Sequence, residues 1–283
     1  MTECTLINTE LDENMITDRR FLNNDNRYYD IEQIIDLHSD SKFQYNTLHL
    51  NIRSLPKHVE SLRTMLAQFS DGGIEFHFIL LCETFLNEVN MSRCKISGYN
   101  LVSRNRKCNN RGGVAIYIRD TLSYTVRDDV ALNVDGEFES IIVEVKCKKT
   151  NMLVGEIYRI PDTNERLSID RYETIADNIN QTNLNAIIGT DQNIDFLKLD
   201  RNKNANDLLN TFFSVGMLPT INKPTTITHT SATIIDNIYI KCSNYNELTS
   251  GIILSDISDH LPIFMFFGKQ KTSLKTPLNI LLK

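Results

Sequence analysis

The sequence predicts an α/β domain in which helices cover a β-sheet. Residues 45–52 and 76–82 indicate strands, and between them Pro56 opens a helix with apolar side chains at helical spacing. Asp71 and the two glycines after it end that helix. A nearly continuous apolar strand such as the second one is typical of a sheet buried on both faces. This strand–helix–strand unit therefore favours a sheet covered by helices.

The later part of the chain continues the alternation of strands and helices. Helices are predicted at residues 167–179, where apolar side chains recur on one face, and at residues 204–213. Strands are predicted at residues 99–103, 114–118, 139–146, 152–158, 186–189 and 233–240, and after His260.

Length and charge divide the chain into three parts. Its 283 residues fit one domain of roughly 220–250 residues with tails, or two small domains. Residues 1–42 hold ten acidic and four basic residues and are expected to form an acidic, partly disordered extension with one short helix. Residues 43–268 are expected to form the folded domain, followed by a lysine-rich tail or linker at 269–283. Because the extension carries the whole net charge of −6, the neutral remainder does not exclude a nucleic-acid partner.

Several classes of protein are disfavoured by what the sequence lacks. The six cysteines contain no C-x-x-C pair, which indicates reduced thiols and neither a disulfide framework nor a zinc knuckle. No apolar run approaches the roughly 18 residues of a membrane span, and residues 1–30 lack the apolar segment of a signal peptide. We therefore expect a soluble intracellular protein without a membrane partner. No P-loop, G-x-G-x-x-G turn, G-x-S-x-G elbow or H-E-x-x-H motif is present.

Polar side chains recur where the predicted apolar strands end. The six placements are Asn51, Glu83, Tyr158, Asp191 with Asn193, Asp236 with Asn237, and Asp259 with His260. Each alone is explained as readily by a turn, a helix cap or a half-buried aromatic ring. Asp236 is harder to explain this way, because it lies between two apolar stretches, residues 234–235 and 238–240, where an unpaired carboxylate would be costly to desolvate. It needs a partner, and a histidine is a plausible one.

The combination of these side chains favours metal-assisted chemistry on a phosphate ester. Carboxylate and amide oxygens are hard ligands that suit Mg²⁺ or Mn²⁺ better than zinc. A hard cation beside the Asp259–His260 pair suits phosphate-ester hydrolysis, in which the cation neutralises charge on the phosphoryl oxygens. The imidazole then handles a proton or binds a phosphate oxygen.

Seven short blocks resemble, in order, a known endonuclease domain. They are residues 50–55 (LNIRSL), 81–86 (LCETFL), 111–117 (RGGVAIY), 157–161 (IYRIP), 188–193 (IGTDQN), 234–238 (IIDNI) and 258–262 (SDHLP). Together they resemble the apurinic-endonuclease-like domain of LINE-type (non-LTR) retrotransposons, in the endonuclease/exonuclease/phosphatase superfamily. The resemblance covers residues 43–268 and implies a DNase I-like α/β fold. That fold is a four-layer sandwich of two packed, mostly antiparallel sheets flanked by helices.

The resemblance also implies a metal side of the site. Glu83 would be the principal Mg²⁺ ligand, Mn²⁺ being the alternative ion, with Asn51 close by and Asp259 supporting the metal. DNA-repair relatives often carry an acid two residues after the asparagine, and here that place is Arg53. Arg53 is therefore expected to contact a phosphate and not a second metal ion.

On the proton-transfer side, the resemblance implies that Asp236 orients His260. Asp191 would exchange a proton with the water or the leaving oxygen, and the base stays open between Asp191 and His260. Asn193 and Tyr158 would bind the scissile phosphate. The block around Asp191 has one residue more than the usual Gly-Asp-x-Asn, although the spacing from Asp191 to Asn193 is retained.

A set of arginines is predicted to contact the DNA backbone, as point charges on phosphates. The set comprises Arg53, Arg104, Arg106, Arg111 and Arg159. For the cluster at residues 104–111, a solvated surface loop explains the sequence equally well.

The function expected from this resemblance is Mg²⁺-dependent nicking of DNA, which leaves a 3′-hydroxyl as a primer for retrotransposition. The partners would be DNA and a reverse transcriptase domain of the same element, and the site of action the nucleus. A phosphatase of the same fold acting on inositol phosphates or phospholipids is the first alternative, although no basic pocket for extra phosphates is evident. A decayed copy that only binds nucleic acid is the second. The oligomeric state is not predicted.

Overall fold

A computed structural model describes residues 26–39, 43–107, 111–147, 150–242 and 248–268. Most of the acidic extension and the lysine-rich tail lie outside these residues. Two large β-sheets dominate the described structure. In sheet order, the strands of the first sheet are β1 (Tyr28–Tyr29), β14 (Leu248–Ile253), β15 (Ile263–Phe267), β2 (Tyr45–Asn51), β3 (Phe78–Cys82), β5 (Val114–Arg119) and β4 (Tyr99–Arg104). Those of the second sheet are β10 (Leu218–Pro219), β13 (Asp236–Lys241), β9 (Asn185–Asp191), β8 (Met152–Arg159), β7 (Phe138–Val145) and β6 (Tyr124–Val126). A separate hairpin consists of β11 (Thr226–Ile227) and β12 (Ala232–Thr233).

The first sheet forms around β2 and β3, which run parallel at its centre. All residues of these two strands are buried, as the apolar sequence of β3 predicts, although β2 (YNTLHLN) has polar residues at four of its seven positions. The neighbouring strands β5 and β15 pair with them in antiparallel orientation.

The second sheet forms around β8 and β9, again a parallel pair with antiparallel neighbours.

Helices cover the outer face of each sheet, which gives four layers and confirms the predicted fold class. The helices are α1 (Ile31–Ser39), α2 (Leu55–Asp71), α3 (Glu165–Gln181) and α4 (Lys203–Ser214). One apolar cluster joins α1 and α2 to the first sheet, another joins α3 and α4 to the second, and a third fills the space between the sheets. Among the described residues, no helix is both long and apolar enough to pass through a membrane.

The packed structure starts upstream of residue 43, where the sequence analysis placed the start of the domain. Strand β1 pairs with β14 in parallel orientation, and Ile34 of α1 is fully buried. Asn26 is also buried and donates from Nδ2 to the Ser250 carbonyl oxygen at 3.2 Å. Residues 26–39 of the predicted extension are therefore part of the first sheet and its helical layer.

Strand direction brings the candidate site residues to one edge of the sandwich. The parallel pairs β2–β3 and β8–β9 end at this edge, whereas β13 starts there because it runs antiparallel to β9. The segment before β15 reaches the same edge through a bridge between His260 and Thr226. Each sheet thus contributes polar residues from its strand ends, as in many sites built on a rigid scaffold.

Candidate active site

Asn51 connects the two sheets at this edge. Its Nδ2 donates to Glu83 Oε1 and to Asp191 Oδ2, each at 2.8 Å. Its Oδ1 accepts from the backbone N–H of Arg53 at 3.1 Å, which fixes the orientation of the amide. Asn51 and Asp191 are buried, and Glu83 is half-buried. One amide group therefore holds two carboxylates from different sheets side by side.

The backbone at Glu83 has an unusual conformation for a residue with a side chain. Its φ is +48°, in the left-handed region that costs such residues free energy. Its carbonyl oxygen accepts from the Ser54 N–H at 2.8 Å, so the turn after β3 is tied to the start of α2. Asn193 has a similar φ of +47° after β9. Left-handed residues therefore follow one strand in each sheet beside the site.

Tyr158 approaches Glu83 from the end of β8. Its hydroxyl donates to Glu83 Oε1 at 3.0 Å, and its ring lies under the guanidinium of Arg106, with 5.9 Å from Cζ to the ring centre. Burial and the negative charge of Glu83 raise the pKa of Tyr158 well above its ordinary value. Tyr158 is therefore a neutral phenol that can donate a hydrogen bond.

Asp236 and His260 form the pair that the sequence analysis expected. Nδ1 of His260 lies 3.0 and 2.9 Å from the two Asp236 carboxylate oxygens, and Thr225 Oγ1 donates to Asp236 Oδ2 at 2.6 Å. Burial alone would lower the pKa of His260, but the Asp236 carboxylate outweighs it and raises that pKa to about 10. Burial likewise opposes ionisation of Asp236, yet His260 keeps the pKa of Asp236 well below its ordinary value.

Asp191 completes a compact group with this pair. One ligand atom from each of Asp191, Asp236 and His260 lies within 4.8 Å of the others. Burial, reinforced by the charge of Asp236, raises the pKa of Asp191 to about 7. Asp191 Oδ1 also accepts from the backbone N–H of Asn193 at 3.2 Å, so the spacing retained in the sequence corresponds to a local contact.

Arg159 is buried at the end of β8 and does not face a DNA surface. It is 2% exposed, and its guanidinium donates to the carbonyl oxygens of Asn193 at 3.1 Å and Thr163 at 2.6 Å. Asn193 Nδ2 in turn donates to the Arg159 carbonyl oxygen at 2.7 Å. We therefore remove Arg159 from the predicted phosphate contacts, because its side chain holds the Asn193 turn in place.

The other predicted DNA-contacting arginines differ in exposure. Arg53 is exposed and forms an ion pair with Asp259, while the partly exposed Arg104 pairs with Asp128. Arg106 is nearly buried, and its Nε lies 2.5 Å from Glu139 Oε1. Arg111 is exposed. The Asp259 carboxylate, which was expected to support the metal, is instead paired with the guanidinium of Arg53 in this structure.

The sequence analysis missed His49 and Glu156. Both are fully buried, with His49 Nδ1 3.0 Å from Glu156 Oε2. Burial would lower the pKa of His49, but Glu156 and Asp236 raise it to about 10. A signal was available: His49 lies two residues before Asn51, and Glu156 two before Tyr158. Alternation along a strand therefore places each on the same face as a site residue.

The donor set fits a hard divalent cation. Glu83 and Asp191 lie side by side, joined through one neutral amide, with Asp236 close to Asp191. Both hydrogen bonds to the Glu83 carboxylate use Oε1, which leaves Oε2 for a metal ion. Grouped carboxylate oxygens are the ligands that Mg²⁺ and Mn²⁺ prefer.

Solved structures of several nucleases share the fold of this two-sheet sandwich. The endonuclease domain of TRAS1, a telomere-specific non-LTR retrotransposon, matches with a TM-score of 0.59 and 13% identity, over 80% of this chain and 100% of that one. AP endonuclease LMAP from Leishmania major matches with a TM-score of 0.63 and 12% identity, over 89% of this chain and 99% of that one. The Xenopus laevis APE2 catalytic domain matches with a TM-score of 0.57 and 17% identity, over 80% and 92%. No protein-family model matches the chain, and no curated protein sequence matches it significantly.

Proposed function

We propose that this protein is a metal-dependent DNA endonuclease that nicks one strand by phosphodiester hydrolysis and leaves a 3′-hydroxyl. The observation that carries the proposal is the meeting of Glu83, Asn51, Asp191 and Tyr158 with the Asp236–His260 pair at one edge of the sandwich. The similarity to a retrotransposon endonuclease domain and to AP endonucleases supports a nucleic-acid substrate. Priming of reverse transcription is the use that we propose for the nicked end.

Glu83 would hold the metal ion, with Asn51 keeping its carboxylate in place. When bound, Mg²⁺ would supply positive charge to the phosphate oxygens as negative charge develops on them. The neutral Tyr158 hydroxyl, already directed at Glu83, would donate to a phosphate oxygen. Asp259 would join the metal side only by leaving its ion pair with Arg53.

The remaining side chains would hold the phosphate and move the proton. Asn193 sits on the turn after β9, where the buried Arg159 fixes its backbone, and would bind the scissile phosphate. Nδ1 of His260 is occupied by Asp236, so Nε2 is the atom that would face the substrate. Asp191 and His260 are the two candidates for the base, and the Asp191 carboxylate is oriented by Asn51.

Positive charge for the DNA backbone would come from the exposed arginines. Arg53 and Arg111 are exposed and Arg104 is partly exposed, which makes these three the proposed phosphate contacts. Arg106 would act indirectly through the Tyr158 ring. The logarithm of the DNA-binding constant falls linearly with the logarithm of the salt concentration. For each phosphate contact that is lost, the slope of this line should become shallower by about one unit.

Nicking of supercoiled plasmid tests the proposed function. We expect the purified protein to convert supercoiled plasmid to open circles with Mg²⁺ and to stop when chelator is added. His260→Ala and Glu83→Ala should each lower the rate by roughly 10²–10⁴-fold, because each removes a positioned acid–base group or metal ligand. Leu254→Ala, at an exposed apolar residue outside the site, is the control and should nick normally.

Parental nicking rates in both site variants would refute the assignment of these residues. An inositol polyphosphate offered beside the plasmid separates the nuclease from a phosphatase of the same fold. Release of phosphate from that substrate without plasmid nicking would replace the proposed function with the phosphatase.

A further inference from the structure

A chain of four ionisable side chains connects the interior of the sandwich to the candidate site. His49 Nδ1 lies 3.0 Å from Glu156 Oε2, and His49 Nε2 lies 3.6 Å from Asp236 Oδ1. Asp236 in turn lies 2.9 Å from His260 Nδ1. Carboxylates and imidazoles thus alternate from Glu156, which is fully buried, to His260, which is 9% exposed.

The buried pair in this series of side chains, His49 and Glu156, is not explained by the stability of the fold. His49 and Glu156 both have zero exposure, so both lose their hydration on folding. An apolar pair of similar volume usually stabilises a core as well as a buried ion pair does, or better. What distinguishes His49 from an apolar residue here is its second nitrogen, which faces Asp236.

The second sheet leaves room for the pair at Gly189. A Cβ atom at this position would lie 2.3 Å from Glu156 Oε2 and 2.9 Å from His49 Nδ1. Strand β9 can therefore pass the pair only with a residue that lacks a side chain. Two residues later the same strand delivers Asp191 to the candidate site.

The Asp236 carboxylate is contacted from several directions. His49 faces Oδ1, Thr225 donates to Oδ2 at 2.6 Å, and His260 Nδ1 lies within 3.0 Å of both oxygens. Thr225 and His260 hold the carboxylate by hydrogen bonds. His49 Nε2, which is buried and makes no hydrogen bond to a described residue, lies 3.6 Å from Oδ1 and adds an electrostatic restraint on the plane of the carboxylate.

We propose that His49, held by Glu156, is a positioning residue that fixes the Asp236 carboxylate toward His260. The expected effect on nicking rests on the proposed function, whereas the effect on His260 itself does not. His49 touches neither substrate nor metal in this proposal, and it acts through Asp236 alone.

Two substitutions of His49 provide a matched test. The amide nitrogen of glutamine lies about where histidine has Nε2, so His49→Gln keeps a donor for Asp236. The amide nitrogen of asparagine lies about where histidine has Nδ1, so His49→Asn keeps only the contact with Glu156. We expect His49→Gln to nick with a kcat within about 3-fold of the parent, and His49→Asn to lose about 10-fold or more at unchanged KM.

The proton on His260 Nδ1 gives a readout that does not need activity. Its low-field ¹H NMR resonance, assigned by its loss in His260→Ala, should persist in His49→Gln and shift or broaden in His49→Asn. If parent protein fails to nick, the proposed function fails, and the resonance alone then decides the inference. A resonance that is equally retained or equally lost in the two variants would overturn the inference.

A double variant that lacks both buried ionisable groups tests whether the effects persist when the protein folds normally. His49→Leu with Glu156→Met replaces the pair by apolar side chains of similar size, which cores usually tolerate. We expect this double variant to melt cooperatively, with an altered His260 resonance and the kcat loss of His49→Asn. A parental resonance in this folded double variant would show that the pair serves packing alone.

Discussion

Glu83 Oε1 accepts hydrogen bonds from both Asn51 and Tyr158, which makes the Tyr158 hydroxyl a sensitive point of the site. Tyr158→Phe removes this donor and leaves the ring under Arg106. We expect nicking to fall by roughly 10- to 100-fold, because a donor near the phosphate is lost. The free energy of unfolding, measured in urea, should fall by about 1 kcal/mol or less, which is the typical net contribution of one hydrogen bond.

Tyr124→Phe, on the edge strand β6, is the matched control for this prediction. It removes a hydroxyl of the same kind away from the candidate site, so its nicking rate should equal that of the parent. If Tyr158→Phe nicks as well as Tyr124→Phe does, the hydroxyl has no part in the reaction.

Single residues also show where sequence reasoning succeeds and where it stops. Asn51, Glu83 and Asp191 were placed correctly at strand ends, because the change from a strand pattern to a polar residue can be recognised in the sequence alone. The His49–Glu156 contact joins positions 107 residues apart, and a lone ionisable residue inside an apolar strand does not reveal its partner. The prediction for Arg159 differs from the structure for a related reason, since an arginine beside a site residue can face either solvent or the interior.

At the level of elements, the long strands and helices were predictable and the short ones were not. The central strands β3, β8 and β9 contain apolar runs whose burial determines their conformation, whereas β2 (YNTLHLN) mixes apolar and polar residues that are all buried. Strands of two residues, such as β1 and β10, are too short to show any period and exist only because a neighbour pairs with them. Strand β14 contains polar residues and Gly251, and was missed for that reason.

Gly189 in β9 links element packing to the site. Gly189→Ala would place a Cβ 2.3 Å from Glu156 Oε2 and 2.9 Å from Leu80 Cδ1, so the two sheets would have to separate locally. We expect a loss of roughly 1–3 kcal/mol in the free energy of unfolding, as for other overpacked cores. Thermal and urea unfolding would measure it.

Gly216→Ala is the comparison for steric crowding. Its Cβ would meet nothing within 4 Å, but its φ of +73° is unfavourable for alanine. It should therefore cost only the roughly 1 kcal/mol of a left-handed backbone. Equal stability of Gly189→Ala and the parent would show that the space between the sheets is not limiting.

His77, just before β3, predicts a pH dependence of stability. Its Nδ1 accepts from the Asn46 backbone N–H at 3.1 Å, which requires a neutral ring nitrogen. Burial, assisted by the charge of Arg119, lowers the pKa of His77 to about 4. Between roughly pH 6.5 and 4 the unfolded chain therefore binds a proton that the folded protein does not, and stability falls as the pH falls.

His77→Gln should remove this contribution. Between pH 7.5 and 5, the parent should lose about 1–2 kcal/mol more in the free energy of unfolding than the variant does. His229→Gln, on the exposed hairpin loop, is the control and should follow the parent. Identical pH profiles for His77→Gln and the parent would contradict a neutral His77 in the folded state.

For the molecule as a whole, the start of the fold is directly testable. A variant that begins at residue 43 lacks β1 and α1, and with them the buried Ile34 and the Tyr29 ring that packs edge-on against Phe264 at 5.7 Å. Relative to a variant that begins at residue 26, we expect a loss of about 2–5 kcal/mol, the range for removing one large buried apolar side chain.

Comparison of the two variants by urea unfolding measures the contribution of residues 26–39. Equal midpoints and slopes would show that the domain starts at residue 43, as its sequence suggested. The candidate site lies at the ends of other strands. The nicking rate per folded molecule should therefore be the same in both variants.

The candidate active site draws on both sheets: Asn51, Glu83 and His260 come from the first, and Tyr158, Asp191 and Asp236 from the second or its strand ends. Under the proposed function, each sheet alone therefore lacks part of the site. The first sheet takes β14 and β15 from the end of the described chain as well as β1 to β5 from its beginning, so the site is complete only after these last strands have paired. Nicking would then report that the two ends of the domain have come together.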